Sequence, residues 1–175
     1  MEVAIFNFIK DNLHNSVMDV LMQAASFLGG AVLWIAIGVV LCIVSFREGF
    51  KKYRVVGITV IVAVLVSGFL CRYGLKPLFL RERPFYVHDF SIIVSTPTSS
   101  SFPSTHSAMS FAGAVVLFWG KRMWGIIALI FASIVGFSRV YLLVHYPSDI
   151  LVGAIFGVAI GLIVVLVGRR FARVK

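Results

Sequence analysis

The chain has 175 residues, of which 60% are hydrophobic and 13% are charged, and its formal net charge is +9. Because a soluble domain usually has about 25% charged residues, this composition excludes a soluble enzyme, a disordered chain and a disulfide-stapled secreted module. It predicts a single domain, residues 1–175, that crosses a membrane several times. The positive charge would favour nucleic acid binding in a soluble chain, but it must first be compared with membrane topology.

The N-terminal part of the chain predicts an interfacial helix followed by a long apolar stretch. Residues 1–15 are too short and too charged to span a bilayer, yet Phe6, Ile9 and Leu13 recur at helical spacing. They therefore predict an amphipathic helix that lies in the interface. Residues 17–46 would form a helix of about 45 Å, which is longer than a bilayer core of roughly 30 Å. The Gly29-Gly30 pair suits a break, so we expect two short spans there, with one span as the alternative.

Four further apolar runs complete an all-α polytopic protein. They comprise residues 55–75, 104–120, 123–144 and 148–168, each close to the roughly 17 to 25 residues of a transmembrane helix. The total is six spans, or five if residues 17–46 cross once. Glycines recur every four residues in the last run, at Gly153, Gly157 and Gly161. Because small residues let helices approach closely, this spacing predicts a helix–helix contact.

The basic residues give the orientation. Ten of the sixteen lie on one side of the six-span arrangement: Arg47, Lys51, Lys52, Arg54, Lys121, Arg122, Arg169, Arg170, Arg173 and Lys175. Lysine and arginine are enriched in cytoplasmic loops, so this side and both termini are predicted to be cytoplasmic. Residues 75–103 and 144–148 then face outward. Orientation explains most of the positive charge, and nucleic acid is not an expected partner. Short loops and the missing signal peptide pattern are typical of a bacterial inner-membrane protein.

Three outward-facing segments carry the polar residues that suggest chemistry: 76–84, 103–106 and 138–149. Lys76, Arg83 and Arg139 are cations that would repel each other unless an anion lay among them. Arginine suits bidentate phosphate recognition, and lysine acts as a point charge. Pro103 suits the opening of the span that follows, whose first backbone N–H groups would add an anion site. These features point to phosphate.

Two histidines and an aspartate supply the reactive groups. Phosphoryl transfer needs a nucleophile and a proton donor for the leaving oxygen, and His106 and His145 suit these roles. Asp149 follows His145 by four residues and could orient its ring. The other outward-facing acidic residues, Glu82 and Asp89, have no partner spacing. We therefore expect neither a metal nor another cofactor.

The three segments resemble the signature of the type 2 phosphatidic acid phosphatase superfamily of membrane lipid phosphatases. That signature is Lys-x6-Arg-Pro, then Pro-Ser-Gly-His, then Ser-Arg-x5-His-x3-Asp. The matching residues are Lys76, Arg83, Pro84, Pro103, Ser104, His106, Ser138, Arg139, His145 and Asp149. Thr105 departs from the usual glycine, and its β-branched side chain could change how closely the backbone approaches phosphate.

The resemblance implies a six-span fold and a mechanism. His145 would attack phosphorus to form a phosphohistidine, and Asp149 would hold His145 in position. His106 would protonate the leaving lipid oxygen and then activate water. The implied phosphate-binding residues are Lys76, Arg83, Ser104, Thr105 and Arg139, together with backbone N–H groups of residues 104–106.

The resemblance does not single out one substrate. It includes phosphatases of undecaprenyl pyrophosphate, phosphatidylglycerophosphate, phosphatidic acid and lipid A 1-phosphate. Arg72 and Arg81 are expected either to snorkel at the interface or to support phosphate binding, which would favour a headgroup with more than one phosphate or with a bulky anionic sugar. Residues 95–101 are expected to form a flexible loop, or alternatively a lid or headgroup contact. The expected partners are a lipid phosphate and membrane lipids, with no obligate protein partner.

Two other functional classes stay open. The cationic cluster could bind without catalysis in an anion or lipid transporter, or in a scaffold protein. A transporter would place its site near the midplane, often between inverted repeats, whereas these charges lie at span ends. A scaffold would leave two histidines and an aspartate unexplained.

Overall fold

The structure is a computed structural model that describes residues 2–47, 52–88 and 92–173. Within these ranges it is helical and contains no strand, as the composition predicts. The helices are α1 (Glu2–Asn12), α2 (Ser16–Leu28), α3 (Ala31–Val44), α4 (Lys52–Phe69), α5 (Lys76–Phe79), α6 (Pro84–Val87), α7 (Thr105–Gly120), α8 (Arg122–Tyr141) and α9 (Pro147–Arg173). A π-helical segment, Leu70–Leu75, joins α4 to α5.

Helix α7 lies at the centre of the bundle and packs against α4, α8 and α9. The glycines of α9 bring its backbone against that of α7. A Cβ atom at Gly153 would lie 2.6 Å from the carbonyl oxygen of Ser104, and one at Gly157 would lie 2.2 Å from that of Ala108. The predicted helix–helix contact is therefore confirmed. It holds the N-terminus of α7 beside the first turns of α9.

The bundle has two ends that differ in composition. One, the α8–α9 end, contains the last turn of α8 and the first turn of α9. The other, the basic end, contains the start of α4, the end of α7 and the start of α8, where the rings of Tyr53 and Trp124 lie 5.2 Å apart. It carries the predicted cytoplasmic residues Lys52, Arg54, Lys121 and Arg122. Lys51 and Lys175 lie outside the described residues.

Helices α2 and α3 form one bent path along the bundle. They meet at Gly29-Gly30 with a bend of 56°. At the α8–α9 end, the Tyr141 hydroxyl donates to Asp19 on α2 at 2.6 Å, and at the basic end Cys42 Sγ on α3 lies 3.8 Å from the carbonyl oxygen of Arg54. The helices have 13 and 14 residues, or about 20 Å each, so neither crosses a core of roughly 30 Å alone. The glycine pair bends the chain but does not reverse it.

The predicted total of six spans is not confirmed. In the described part of the chain, three helical stretches are long and apolar enough to cross a membrane: Lys52–Val87, Arg122–Tyr141 and Pro147–Arg170. The bent α2–α3 pair adds a fourth if it is one span. Helix α7 runs beside them but has 16 residues.

The N-terminal helix α1 lies at the α8–α9 end. Its Phe6 and Ile9 are buried in a cluster with Tyr141 and Tyr146, and the backbone N–H of Ser148 donates to Glu2 at 3.2 Å. Helix α9 begins at this end and runs 27 residues towards the basic end. Helix α1 therefore lies at the same end of the bundle as the outward-facing segments, whereas both termini were predicted to lie opposite them. The physical reason is that α2 and α3 follow one bent path and are not two antiparallel spans. The side of the membrane that each terminus faces stays a prediction. The predicted helix within residues 1–15 is present, and its place in a membrane interface stays a prediction.

Candidate active site

The three polar segments meet at the α8–α9 end because each follows or begins a helix there. The π-helical end of α4 leads to Lys76, and Arg83 immediately precedes α6. Ser104 caps the N-terminus of α7, so this helix begins at Thr105 and not at Pro103 as predicted. The third segment runs from the last turn of α8 through a short connection into α9. Segments that are widely separated in sequence thus share one end of the bundle.

His145 lies in the connection between α8 and α9 and is almost fully buried. Its position depends on a tight turn in which Leu143 has a left-handed φ of 57° and the backbone N–H of His145 donates to the carbonyl oxygen of Arg139 at 3.2 Å. Nδ1 of the ring lies 3.3 Å from Asp149 Oδ2. Nε2 lies 3.4 Å from Arg83 Nη1. The two ring nitrogens therefore face opposite charges, a carboxylate on one side and a guanidinium on the other.

Asp149 is fully buried in the first turn of α9. Its Oδ1 accepts a hydrogen bond from Arg81 Nη1 at 2.7 Å. Its Oδ2 accepts from the backbone N–H of Tyr146 at 2.9 Å and from the Ser101 hydroxyl. A buried carboxylate with these donors has a fixed orientation, which suits it to hold the Nδ1–H of His145.

Burial lowers the pKa of His145 well below its usual range, because an imidazolium would lose its hydration there. The hydrogen bond to Asp149 raises this pKa, while the charges of Arg83, Arg139 and Lys76 lower it further. His145 is therefore neutral near pH 7. Neutral imidazole is the form that a nucleophile requires.

Lys76 and Arg83 are buried beside a loop of serines. Lys76 Nζ donates to the carbonyl oxygens of Ser100 and Ser101. Arg83 Nε donates to the carbonyl oxygen of Ser99 at 2.9 Å, and its Nη1 donates to that of Val144 at 2.8 Å. Residues 99–101, from the predicted flexible loop, thus hold both cations in place.

Arg139 is also buried, and its Nη1 donates to the hydroxyl of Ser26 on α2. Its Nε has no hydrogen-bond partner among the described residues. The charges of Arg139, Arg83 and Lys76 all act on the half-buried ring of His106. Three cations thus surround a histidine at the start of α7, an arrangement that an anion would stabilise.

The N-terminus of α7 contributes backbone groups. Ser104 is fully buried, its Oγ accepts from the N–H of Ser107 at 3.3 Å, and its own N–H donates to the carbonyl oxygen of Asp149 at 3.1 Å. Thr105 and His106 begin the helix, where the first N–H groups have no helical acceptor. Thr105 Oγ1 lies 3.3 Å from Cys71 Sγ. The methyl-bearing side chain of Thr105, where the family usually has glycine, is thus accommodated against the π-helical segment.

A family profile described as the PAP2 superfamily matches residues 52–173. This chain belongs to the PAP2 superfamily. The undecaprenyl-diphosphatase of Sulfolobus acidocaldarius is 31% identical over 157 residues, which cover 89% of this chain and 72% of that protein. The family resemblance expected from the motifs is confirmed, and the chain is a phosphatase by family.

Two solved structures of PAP2 proteins resemble the whole bundle. The crystal structure of LpxE from Aquifex aeolicus has a TM-score of 0.74 at 28% identity and covers 94% of both chains. The crystal structure of the first transmembrane PAP2-type phosphatidylglycerolphosphate phosphatase from Bacillus subtilis has a TM-score of 0.76 at 25% identity. It covers 96% of this chain and 86% of that chain. The fold is thus a transmembrane PAP2 fold.

The PAP2 motifs located the buried cations and the His145–Asp149 pair, but not the side chains that support them. Arg81 was expected to snorkel or to bind phosphate. Instead it bridges Asp149 and Glu2, whose Oε2 accepts from Arg81 Nη2 at 2.9 Å. Ser101, the donor to Asp149, lies two residues before Pro103 in a serine-rich run, and this proximity was the only available signal. Nothing in the sequence pointed to Glu2.

The described residues contain no group of three histidine, cysteine or acidic side chains that could hold a metal ion. Asp89, one of the acidic residues considered from the sequence, lies outside the described ranges. The donors that converge here are cationic side chains and N–H groups, and these bind anions.

Proposed function

We propose that this PAP2 protein is a metal-independent phosphatase that hydrolyses a phosphomonoester or pyrophosphate of a membrane lipid through a phosphohistidine at His145. The observation that carries the proposal is the placement of the His145 ring. Nδ1 faces the buried carboxylate of Asp149, and Nε2 faces the guanidinium of Arg83. A hydrogen bond from Nδ1–H to Asp149 leaves the lone pair on Nε2, next to a phosphate-binding cation.

In the first step, Nε2 of His145 attacks phosphorus while the bond from phosphorus to the leaving oxygen breaks. The negative charge of the bound substrate offsets the surrounding cations and keeps a proton on His106, which gives this proton to the leaving oxygen, so that the alcohol or lipid phosphate leaves in its protonated form. The carboxylate of Asp149 stabilises the charge that develops on the His145 ring. In the second step, neutral His106 takes a proton from water, which attacks phosphorus and releases inorganic phosphate and free His145. The proton on His106 and the lone pair on His145 are thereby restored.

The cations supply the electrostatic part of catalysis. Lys76, Arg83 and Arg139 would bind the phosphoryl oxygens, together with the first N–H groups of α7 from Thr105 onward. Their burial matters because a preorganised charge in a site with little water stabilises a phosphoryl transition state more than an exposed charge does. Ser104 supports this arrangement as the N-cap of α7.

We infer five crossings for the orientation: the α2–α3 pair, α4, α7, α8 and α9. The basic end is then cytoplasmic by the positive-inside rule, and the site faces the outside or the periplasm of a bacterial inner membrane. With an odd number of crossings, Glu2 lies on the outer side with the site. Helix α1 would lie in the outer interface, with its exposed Phe8 towards lipid.

The substrate we propose first is a polyprenyl diphosphate such as undecaprenyl diphosphate, on the model of the relative from Sulfolobus acidocaldarius. Large apolar side chains are exposed where the π-helical segment joins α5, among them Phe69, Tyr73 and Leu78. These suit an acyl or prenyl chain that reaches the site sideways from the membrane. Arg81 is paired with Asp149 and Glu2, so it gives no support for a second phosphate. Phosphatidylglycerophosphate, phosphatidic acid and lipid A 1-phosphate are the competing substrates.

The test is phosphate release by detergent-purified protein in excess EDTA, measured with these four lipids. His145→Ala is the catalytic variant, and His88→Ala is a control histidine outside the proposed machinery. We expect release that survives EDTA, is lost in His145→Ala and is retained in His88→Ala, with undecaprenyl diphosphate hydrolysed fastest. If folded wild-type protein released no phosphate from any lipid, the function would be refuted and anion or lipid transport would be favoured. If His145→Ala matched the wild type, the nucleophile would be wrong.

A further inference from the structure

Glu2 is linked to the catalytic aspartate by a chain of hydrogen bonds. Arg81 Nη2 donates to Glu2 Oε2 at 2.9 Å, and Arg81 Nη1 donates to Asp149 Oδ1 at 2.7 Å. One guanidinium therefore joins two carboxylates, one on α1 and one at the start of α9. The sequence separations are 79 and 68 residues, so only the fold brings the three groups together.

A second set of contacts runs through Ser148, the residue before Asp149. Glu2 Oε1 accepts from the backbone N–H of Ser148 at 3.2 Å and from its hydroxyl at 2.7 Å. Arg81 Nη1 also donates to this hydroxyl at 2.7 Å. Both oxygens of Glu2 are therefore used, and its carboxylate accepts the N–H of Ser148 at the N-terminus of α9, where negative charge is favoured.

The surrounding packing fixes the geometry of this network. The guanidinium of Arg81 lies over the ring of Tyr146, 3.9 Å from its centroid. The ring of Phe6 on α1 also lies beside that of Tyr146, with a centroid distance of 5.7 Å. Helix α1 is therefore attached beside the catalytic pair by an apolar contact and by Glu2. Burial raises the pKa of Glu2, but the hydrogen bonds from Ser148 and the charge of Arg81 lower it overall, so its carboxylate is ionised near pH 7.

We propose that Glu2 is a positioning residue for catalysis, which sets the orientation of Asp149, and through it of His145, by holding Arg81 and Ser148. The inference rests on the proposed function. Arg81 without Glu2 would have one carboxylate partner and one free end, and the N–H of Ser148 would lose its acceptor. Asp149 would then hold the His145 ring less tightly. Among the described residues, the hydrogen bonds of Glu2 go to Arg81 and Ser148 and not to Lys76, Arg83 or Arg139, so phosphate binding would be unaffected.

The kinetic test compares Glu2→Gln with Asp11→Asn, a matched carboxylate-to-amide change at an exposed position of the same helix. The full chain carries its purification tag at the C-terminus. For Glu2→Gln we expect kcat to fall about fivefold with KM within about twofold, for Glu2→Asp a partial recovery, and for Asp11→Asn no change. In an Arg81→Gln background, Glu2→Gln should cause a smaller loss than in the wild type, because the part of its effect that passes through Arg81 is already lost and only the part through Ser148 remains. A Glu2→Gln kcat equal to that of the wild type would overturn the inference, and so would an equal fall in Asp11→Asn.

A binding measurement separates this inference from the proposed function. Orthovanadate mimics the five-coordinate phosphoryl group attached to His145, whereas inorganic phosphate reports the cations alone. Their affinities are measured from the rise in melting temperature that each causes, which needs no turnover. We expect Glu2→Gln to weaken vanadate binding about fivefold and to leave phosphate binding unchanged. If wild-type protein hydrolysed no lipid but showed this difference, the positioning role would stand and the function would fail. Equal vanadate affinity in wild type and Glu2→Gln would overturn the positioning role, whatever the activity.

Discussion

Replacing Ser101 with alanine tests the support of the catalytic aspartate most simply. Ser101 is fully buried, and its hydroxyl donates to Asp149 Oδ2. A hydrogen bond to a charged group is worth about 1.5–3 kcal/mol. The lower part of this range applies, because the N–H of Tyr146 still donates to the same oxygen at 2.9 Å. A loss of about 1.5–2 kcal/mol corresponds to a fall in kcat of about 10- to 30-fold at 1.36 kcal/mol per factor of ten.

The assay is initial phosphate release over a range of lipid concentrations in mixed micelles. KM should stay within about twofold, because the Ser101→Ala variant keeps the backbone carbonyl that accepts from Lys76. Ser95→Ala, an exposed serine of the same run, is the matched control and should keep the wild-type kcat. A Ser101→Ala kcat within twofold of the wild type, in protein with an unchanged melting temperature, would refute the reasoning.

Three further predictions concern a cation, a packing glycine and pH. Arg83→Lys should lower kcat/KM about 100-fold, because a point charge cannot keep the contacts to both Ser99 and Val144; a loss below threefold in a steady-state assay would contradict this. Gly157→Ala should lower the free energy of unfolding in detergent by about 1–3 kcal/mol, since its Cβ would meet the α7 backbone at 2.2 Å. Gly74→Ala, whose Cβ would meet nothing within 4 Å, is the control and should leave the free energy of unfolding unchanged. Equal melting temperatures for Gly157→Ala and the wild type would contradict the close contact. Because burial lowers the pKa of His145 in the free protein, the ring stays neutral as pH falls through about 6.5. No acid limb of the kcat/KM profile near that pH should therefore come from His145. A loss of kcat/KM with a midpoint near about 6.5 that follows the protonation of His145 would contradict this.

Two of the long helices could be predicted from apolar length alone. The expected run at 123–144 is helix Arg122–Tyr141, and the run at 148–168 is helix Pro147–Arg173. Both predictions work because a hydrophobic helix must be long enough for a bilayer. The length of an apolar run is a local property of the sequence, so it can be recognised without knowledge of the fold.

The path of residues 17–46 could not be predicted in the same way. Gly29-Gly30 correctly indicated a break, but a glycine pair does not determine the angle between the helices that it joins. The bend of 56° is set by packing, with Gly29 against Val135 and Gly38 against Gly57. The end of the bundle at which α1 lies depends on this angle, so it could not be predicted from the sequence.

The candidate site, too, could be predicted from the sequence only in part. The spacing of the three motifs indicated the residues that would handle phosphate, because the types and order of those residues follow from the chemistry. The partners of those residues come from distant parts of the chain. Glu2 lies 146 residues from Ser148, and Ser26 lies 113 residues from Arg139. No local pattern marks such pairs, so they become visible only in the folded bundle.

The most direct test of the central claim is rapid-quench trapping of the covalent intermediate. Wild-type protein and the His145→Ala variant are mixed with substrate that is labelled in the transferred phosphoryl group, in excess EDTA, and stopped with base. We predict label on the wild-type protein that is stable to base, is released by acid and is absent from His145→Ala. Wild-type protein that releases phosphate but never carries label, or a His145→Ala variant that carries as much label as the wild type, would contradict the phosphohistidine at His145.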